Sequence, residues 1–480
     1  MPEEKNSSVS TQTPKAAVSK DSIWQELKDA ISGSEADYTE IRLGRAIFLL
    51  AVPMILELIM ESTFALVDIY FVGTLGASAV ATVGLTETYL FLLYSISMGL
   101  SLAVTAIVAR RIGEKDKEGA GISAVQAIFI AVLGSIPFMI AGIFFSRELL
   151  ELMGADAWTL EHGYPYAQWM LGGNAVIMLL FVINSIFRGA GDAAIAMRVL
   201  WIANGFNIVL DPLLIFGWGP VPKLGIEGAA IATNIGRGIA VIVQLWLLFR
   251  GGKHIRVLRS YLKLNWDIIK KIIRTSLGGI GQMIVAMTSW IFIIRIIAEF
   301  GSEAVAGATI ALRIMMFTMM PAWGMSNAAS TLVGQNLGAK KPDRAERSVW
   351  ITGFWNMIYL IGIAVVFFIY HENLMRIFTD DTGVIDIGSS WLKIVSYSYF
   401  VYAWWMVAVQ AFNGAGDTVT PTKINVVFFW IIEIPLAYFM AKSLALEVIG
   451  VFWAIFITET SVGLFTLWLF RKGKWKQVEV

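Results

Sequence analysis

The chain has no cysteine and only three histidines in 480 residues. The first absence excludes disulfides and thiolate metal sites. The histidines, His162, His254 and His371, all fall in expected loops, which is thin material for a metal enzyme. Charge is scarce too: Asp, Glu, Lys and Arg make up 15% of the chain, where a soluble protein carries about 25%. The net charge of +1 lacks the basic excess of a nucleic-acid binder. There is no GxxxxGK[ST] phosphate loop, no HExxH and no histidine within the apolar runs. We therefore expect no enzyme, no nucleic-acid partner and no cofactor.

What is abundant is apolar surface. Hydrophobic residues make up 57% of the sequence, and the mean hydropathy is +0.68. One water-soluble core does not absorb that much, so lipid must cover it. A membrane-crossing helix needs about 20 mostly apolar residues. Runs bounded by charge or turn clusters predict spans near 46–72, 80–109, 120–145, 164–187, 195–217 and 226–249. A second set is predicted near 276–299, 304–334, 348–370, 390–412, 424–441 and 449–470. Outer-membrane barrel strands alternate and run to about 10 residues, so these runs are helices.

Lysine and arginine collect after the even-numbered spans. Arg110, Arg111, Lys115 and Lys117 follow span 2, and Lys340, Lys341, Arg344 and Arg347 follow span 8. Eight cations between Arg250 and Arg274 follow span 6, and Arg471, Lys472, Lys474 and Lys476 close the chain. The positive-inside rule puts both termini in the cytoplasm of a plasma-membrane protein. The first forty residues are polar and lack the basic start and apolar core of a signal peptide. Within them Ser22 and Gln25 resemble a capping box, with Ile23, Trp24, Leu27 and Ile31 as the stripe of a short helix. A tail with a frayed helix is the plainer reading there.

A repeat organises the rest. Phe187-Arg188-Gly189-Ala190-Gly191-Asp192 recurs as Phe412-Asn413-Gly414-Ala415-Gly416-Asp417, 225 residues on. The same offset aligns Leu75-Gly76-Ala77 with Phe300-Gly301-Ser302, and Gly113-Glu114-Lys115 with Gly338-Ala339-Lys340. Six spans per copy is an even number, so the halves share one orientation, as in parallel-repeat transporters. The expected architecture is an all-α integral membrane protein of twelve transmembrane helices in two six-helix lobes. Its parts would be a polar extension 1–44, lobes 45–250 and 276–471, a linker 251–275 and a tail 472–480. In the linker, Ile255, Leu258, Leu262, Ile268, Ile269 and Ile272 punctuate the cations, which reads as an amphipathic segment on the inner surface. Nothing in the chain demands a second copy, and we expect a monomer.

Carboxylates inside spans ask for a reason, since each costs roughly 2.5–3.5 kcal/mol near mid-bilayer. Span 1 carries Glu57, Glu61 and Asp68, within about 40° of one another around a helix, with Pro53 one turn earlier. Span 5 carries Asn204, Asn207 and Asp211 on one face, with Pro212 beside the acid. Span 6 adds Thr233, Asn234 and Arg237, and span 4 adds Asn184. Such a group can bind a proton or coordinate a small hard cation such as sodium. The alternative is a buried hydrogen-bond network in which Arg237 neutralises one acid. At the 225 offset Asp68 meets Ile293 and Asp211 meets Leu436, so the second half lacks both. It has Arg295, Arg313, Glu433 and Glu459 instead, for which mutual salt bridges are the first expectation. The methionines of span 8, from Met315 to Met320, read first as packing and second as an adaptable ligand surface.

These features resemble the multidrug and toxic compound extrusion (MATE) family, in its prokaryotic form. The resemblance covers about residues 45–470. It rests on Pro53, Val67-Asp68 and Gly73, on the two Phe-x-Gly-Ala-Gly-Asp copies, on Asn207-Ile208-Val209-Leu210-Asp211-Pro212 and on Val333-Gly334-Gln335-Asn336. It implies export of organic, often cationic compounds against an inward proton or sodium gradient. It also implies a cation site at Asp68, Asn184, Asn207, Asp211 and Thr233. Glu57, Glu61, Asn204 and Asn234 are further cavity candidates outside that pattern. The nearest alternative is a flippase of lipid-linked oligosaccharides from the same wider superfamily, which a strongly cationic cavity would favour.

Overall fold

A computed structural model describes residues 23–217, 222–251 and 254–479. Helices, and among the described residues no strand, make up the regular structure. All twelve expected spans are present. The first lobe holds Leu43–Gly73, Ala77–Gly113, Lys117–Leu152, Thr159–Ala190, Ala193–Phe216 and Ile226–Arg250 as spans 1 to 6. The second holds Trp266–Ala298, Ser302–Gly338, Pro342–Arg376, Thr382–Ser396 with Tyr399–Ala415, Val419–Ser443 and Glu447–Arg471 as spans 7 to 12. Span 10 is one span bent by 65°. The helix of span 1 runs through Pro53 without a break.

The backbone repeats with the sequence. Left-handed φ values recur 225 residues apart at Gly76 (106°) and Gly301 (101°), Lys115 (61°) and Lys340 (57°), and Gly191 (94°) and Gly416 (91°). Kinks recur too, at Phe145 in span 3 and Tyr370 in span 9. Gly191 and Gly416 each cap the helix before them in the left-handed conformation that glycine adopts without a Cβ penalty.

Several elements run past their expected ends. Span 7 begins at Trp266 rather than 276, so the linker is shorter than 251–275 and ends at Asn265, whose side chain caps the helix by accepting from the Ile268 amide at 3.2 Å. Ile255 and Val257 are buried in the first lobe, whereas Leu258 and Leu262 are exposed. His162 and His371, expected in loops, lie on helical extensions of spans 4 and 9. Met315 and Met319 pack into the second lobe's core, and Met316 is exposed. Ser22 of the suggested capping box lies outside the described residues, but a helix does run from Ile23 to Ser32. It is docked rather than frayed, with Ala30 buried and Asp29 paired to Arg45 at 3.2 Å.

The lobes meet on the face that carries the basic loops. The glycine contacts come in two copies related by the repeat. A β-carbon on Gly324 would lie 2.8 Å from the Ile55 backbone, and one on Gly99 would strike Ile280. Gly113 sits against the Gln335 carbonyl and Gly338 against that of Arg110. Thr331 Oγ1 donates to Arg188 O at 3.1 Å and Gln335 Nε2 to Gly189 O at 3.0 Å. Residues 33–42 strap this face shut. Tyr38 donates to Gly191 O at 3.2 Å, Lys115 pairs with Asp37 at 3.6 Å, and from the second lobe Lys341 and Arg344 donate to Thr39, Tyr38 and Ile41 carbonyls. Burial would push the Asp37 carboxyl up, but hydrogen bonds from Thr39 and the charge of Lys115 outweigh it and hold it below the usual range.

Because backbone faces backbone at these glycines, Gly113→Val should wedge the lobes apart. Overpacking of this kind costs about 1–3 kcal/mol. The cysteine-free chain allows a direct reading through Thr331→Cys at the buried seam. Thiol labelling there should speed up by roughly 5- to 100-fold in the Gly113→Val background. Unchanged labelling would show that the glycine contacts do not hold this face closed.

Candidate functional site

The acidic stripe of span 1 faces into the first lobe, where it meets three separate sets of partners. Glu57 is buried and meets span 4: Arg188 stands at 3.5 Å and Asn184 Nδ2 donates to it at 3.4 Å. Gln244 of span 6 in turn donates to Asn184 Oδ1. One turn along, Glu61 accepts from Arg237 of span 6 at 3.3 Å and from Asn204 of span 5 at 3.3 Å. Arg237 is held further by Tyr94 at 3.4 Å and lies over the Phe64 ring at 5.7 Å. These two acids are neutralised locally by arginine.

The third set differs. Asp211 is completely buried in the far third of span 5. The neighbouring amide, Asn207, is oriented to donate to Asp211 Oδ2 at 2.9 Å while its oxygen accepts from Thr233 N at 3.0 Å and Thr233 Oγ1 at 3.2 Å. The other carboxylate oxygen, Oδ1, has no hydrogen-bond partner among the described residues. Asp68 is half-buried near the far end of span 1, and its charge acts on Asp211, Arg237 and Glu87. A buried carboxylate oxygen without a donor is costly, and it is what an arriving cation would satisfy.

Of the residues expected together, Asp211, Asn207 and Thr233 are joined by hydrogen bonds, with Asp68 within electrostatic reach. Asn184 is not bonded to them, because its face of span 4 points at Glu57 and Gln244. Asn234 serves the fold: its amide donates to Trp169 O at 3.0 Å beside the helix break at Gly173. Asn204 supports Glu61. Sequence reasoning missed Arg188, which it used only as part of the repeated motif, and Glu87, an isolated acid in the apolar run of span 2 that the same cost argument could have flagged. Salt bridges among Arg295, Arg313, Glu433 and Glu459 do not occur among the described residues. Both arginines lie on exposed faces, whereas both glutamates are buried.

Where the lobes meet, a gap of about 50 Å³ is lined by Met54, Thr105, Arg188, Asn327, Thr331 and Gln410. Its one cationic lining residue, Arg188, is paired to Glu57.

Comparison with known proteins agrees with the duplication. The sequence model of the MatE family matches twice, over residues 53–213 and 279–439, close to the 225-residue offset. The chain is 26% identical over 443 residues to the probable multidrug resistance protein YoeA of Bacillus subtilis, covering 91% of this chain and 95% of that one. It is 26% identical over 432 residues to the probable multidrug resistance protein NorM of Thermotoga maritima, covering 89% and 92%. A crystal structure of MATE in complex with MaL6 superposes with a TM-score of 0.85 at 24% identity, covering 92% of this chain and 99% of the other. A MOP superfamily transporter from Pyrococcus furiosus superposes at 0.84 and 23% identity, covering 92% and 98%. At those identities the structural likeness carries the fold.

Proposed function

The chain belongs to the MatE family of membrane transporters, and from that premise we propose that it is a secondary antiporter that exports organic, often cationic compounds in exchange for an inward proton or sodium ion. The observation that carries this reading is Asp211, a fully buried carboxylate with one oxygen unpartnered, whereas Glu57 and Glu61 in the same lobe are each matched by an arginine. The basic face is the cytoplasmic one in this reading, and the structure has that face sealed. The names borne by the relatives, multidrug resistance proteins, support organic compounds as the cargo.

The cycle follows from where the charges sit. A cation entering from outside reaches Asp68 and Asp211 in the outer third of the first lobe and binds with Asn207 and Thr233. Neutralising these acids removes the charge that attracts a cationic substrate, which leaves outward. The lobes then rock about their glycine seam, the cytoplasmic face opens, and the cation is released inside. One charge moving down ~100 mV supplies about 2.3 kcal/mol, enough for roughly a 50-fold gradient of an uncharged substrate, whereas a monovalent cation exchanged one for one is driven by the ion's concentration gradient alone. A flippase for pyrophosphate-linked sugars needs a cationic cavity, and the single paired arginine at the seam does not favour it.

The test is efflux of a fluorescent organic cation from proteoliposomes under an imposed proton or sodium gradient. Wild type should extrude dye under one of the two gradients, and Asp68→Asn should not. Intact gradient-driven efflux in Asp68→Asn would remove that residue from the mechanism, and absence of dye transport under either gradient would turn attention to the flippase.

A further inference from the structure

We infer that the second lobe contains a proton-binding site of its own, formed by Glu433 and Glu459 with Ser398, Tyr399 and Tyr402. Glu433 lies on span 11 and is 4% exposed, and Glu459 lies on span 12 and is 7% exposed. Both sit near the middle of their spans. The charge of Glu459 acts on Glu433, and both act on Tyr402. No lysine or arginine reaches either acid among the described residues.

Three observations separate this group from a mere acidic cluster. The first is a break in span 10 at Tyr397 and Ser398, where Ser398 Oγ stands 3.1 Å from Glu459 Oε2 and 2.9 Å from Val395 O, the two acceptors for its one proton. Broken helices at mid-membrane are where transporters commonly bind ions. The second is Tyr399, entirely buried, whose hydroxyl makes no hydrogen bond within 3.5 Å among the described residues and has Thr318 and the charge of Glu459 as its polar neighbours. The third is that Glu433 ends a π-helical stretch, Val426–Glu433, a local distortion that recurs at functional sites.

The repeat shows that the acids are not needed for packing. Ser398 is the counterpart of Gly173, and Glu459 is the counterpart of Asn234. In the first lobe the neutral amide of Asn234 serves the same helix break by donating to a carbonyl. The second lobe puts a carboxylic acid in that place and sets another beside it. Two carboxylates withdrawn from water with no cation partner do not both stay ionised. The pair takes up one H⁺, which passes its site from a charge of −2 to −1. The hydroxyls around it, Ser398, Tyr399 and Tyr402, are donors that suit the remaining carboxylate. A site rich in donors fits a proton better than a metal ion.

This proposal deepens the antiport reading by adding a second coupling proton, but its test does not depend on transport. Protons bound between pH 5 and 9 would be counted on purified protein in sodium-free detergent solution, for wild type, Asp211→Asn, Glu433→Gln and Glu459→Gln. Each glutamine variant should bind one proton fewer than wild type, and the infrared band of a buried carboxylic acid should weaken in both. Asp211→Asn should keep that band. Thermal melts establish that the near-isosteric variants are folded. An unchanged proton count in both folded glutamine variants would overturn the site, as would displacement of the proton by sodium chloride. Failure of the antiport reading would appear elsewhere, as dye efflux surviving in Asp68→Asn.

Discussion

Replacing Asp211 by Asn is expected to reduce accumulation of an organic cation under a roughly tenfold imposed ion gradient from about tenfold to none, without unfolding the protein. One-for-one exchange of monovalent cations moves no net charge, so the ion's concentration gradient sets the limit, at about 1.4 kcal/mol per factor of ten. Asn keeps the shape of the side chain and still offers an oxygen to the Asn207 amide, so the hydrogen bond at 2.9 Å survives. It removes the negative charge that a cation would bind. The lost charge has no arginine partner to orphan, so the stability should move by no more than the roughly 1–3 kcal/mol of one unsatisfied buried group. Efflux assays and detergent melts on the same preparation check both halves. A variant that melts early and transports weakly would make Asp211 a structural residue.

The opposite pattern is expected for Glu57. Arg188→Met leaves Glu57 buried without its cation, and breaking a buried pair from one side costs about 3–5 kcal/mol. Both members are well withdrawn from water, with side-chain exposures of 17% and 7%. Adding Glu57→Gln to Arg188→Met removes the stranded charge and should restore most of the stability, while leaving the Asp211 cluster untouched. A double-mutant cycle on thermal or denaturant melts measures this coupling. Additive effects would show that the 3.5 Å contact does not stabilise the fold. The two experiments together divide the first lobe's acids into one that holds the helices and one that works.

Much of this division was legible in the residues, and its limits have a physical cause. Span number and pairing follow from apolar length and from a repeat that holds one register, and neither depends on how helices rotate. The Asp211 cluster was legible because Asn207 and Asp211 lie on one face of one helix. Partners on different helices were legible only in part: Thr233 meets Asn207 and Arg237 meets Glu61 as expected, but Asn184 does not join them. The placement of Asn184 depends on how span 4 is turned about its axis, and packing decides that: the residue faces Glu57 and Gln244. For the same reason the expected salt bridges of Glu433 and Glu459 fail, because Arg295 and Arg313 lie on the outer faces of their helices. Span ends were misjudged where apolar periodicity continues among cations. At the start of span 7, Ile269 and Ile272 are buried although Lys270 and Lys271 stand beside them.

The central claim is that one buried cluster exchanges a cation for a substrate. Linkage requires that if cation binding weakens substrate binding, the reverse holds by the same factor. The most direct measurement is therefore the Kd of a fluorescent organic cation for purified protein, across a series of pH and sodium concentrations, in wild type and Asp211→Asn. The account predicts that wild-type affinity falls as one of the two cations is raised, and that Asp211→Asn responds less, keeping at most the pH dependence that the second-lobe glutamates contribute. An affinity in wild type that ignores both pH and sodium, or a response that persists unchanged in Asp211→Asn, would contradict it.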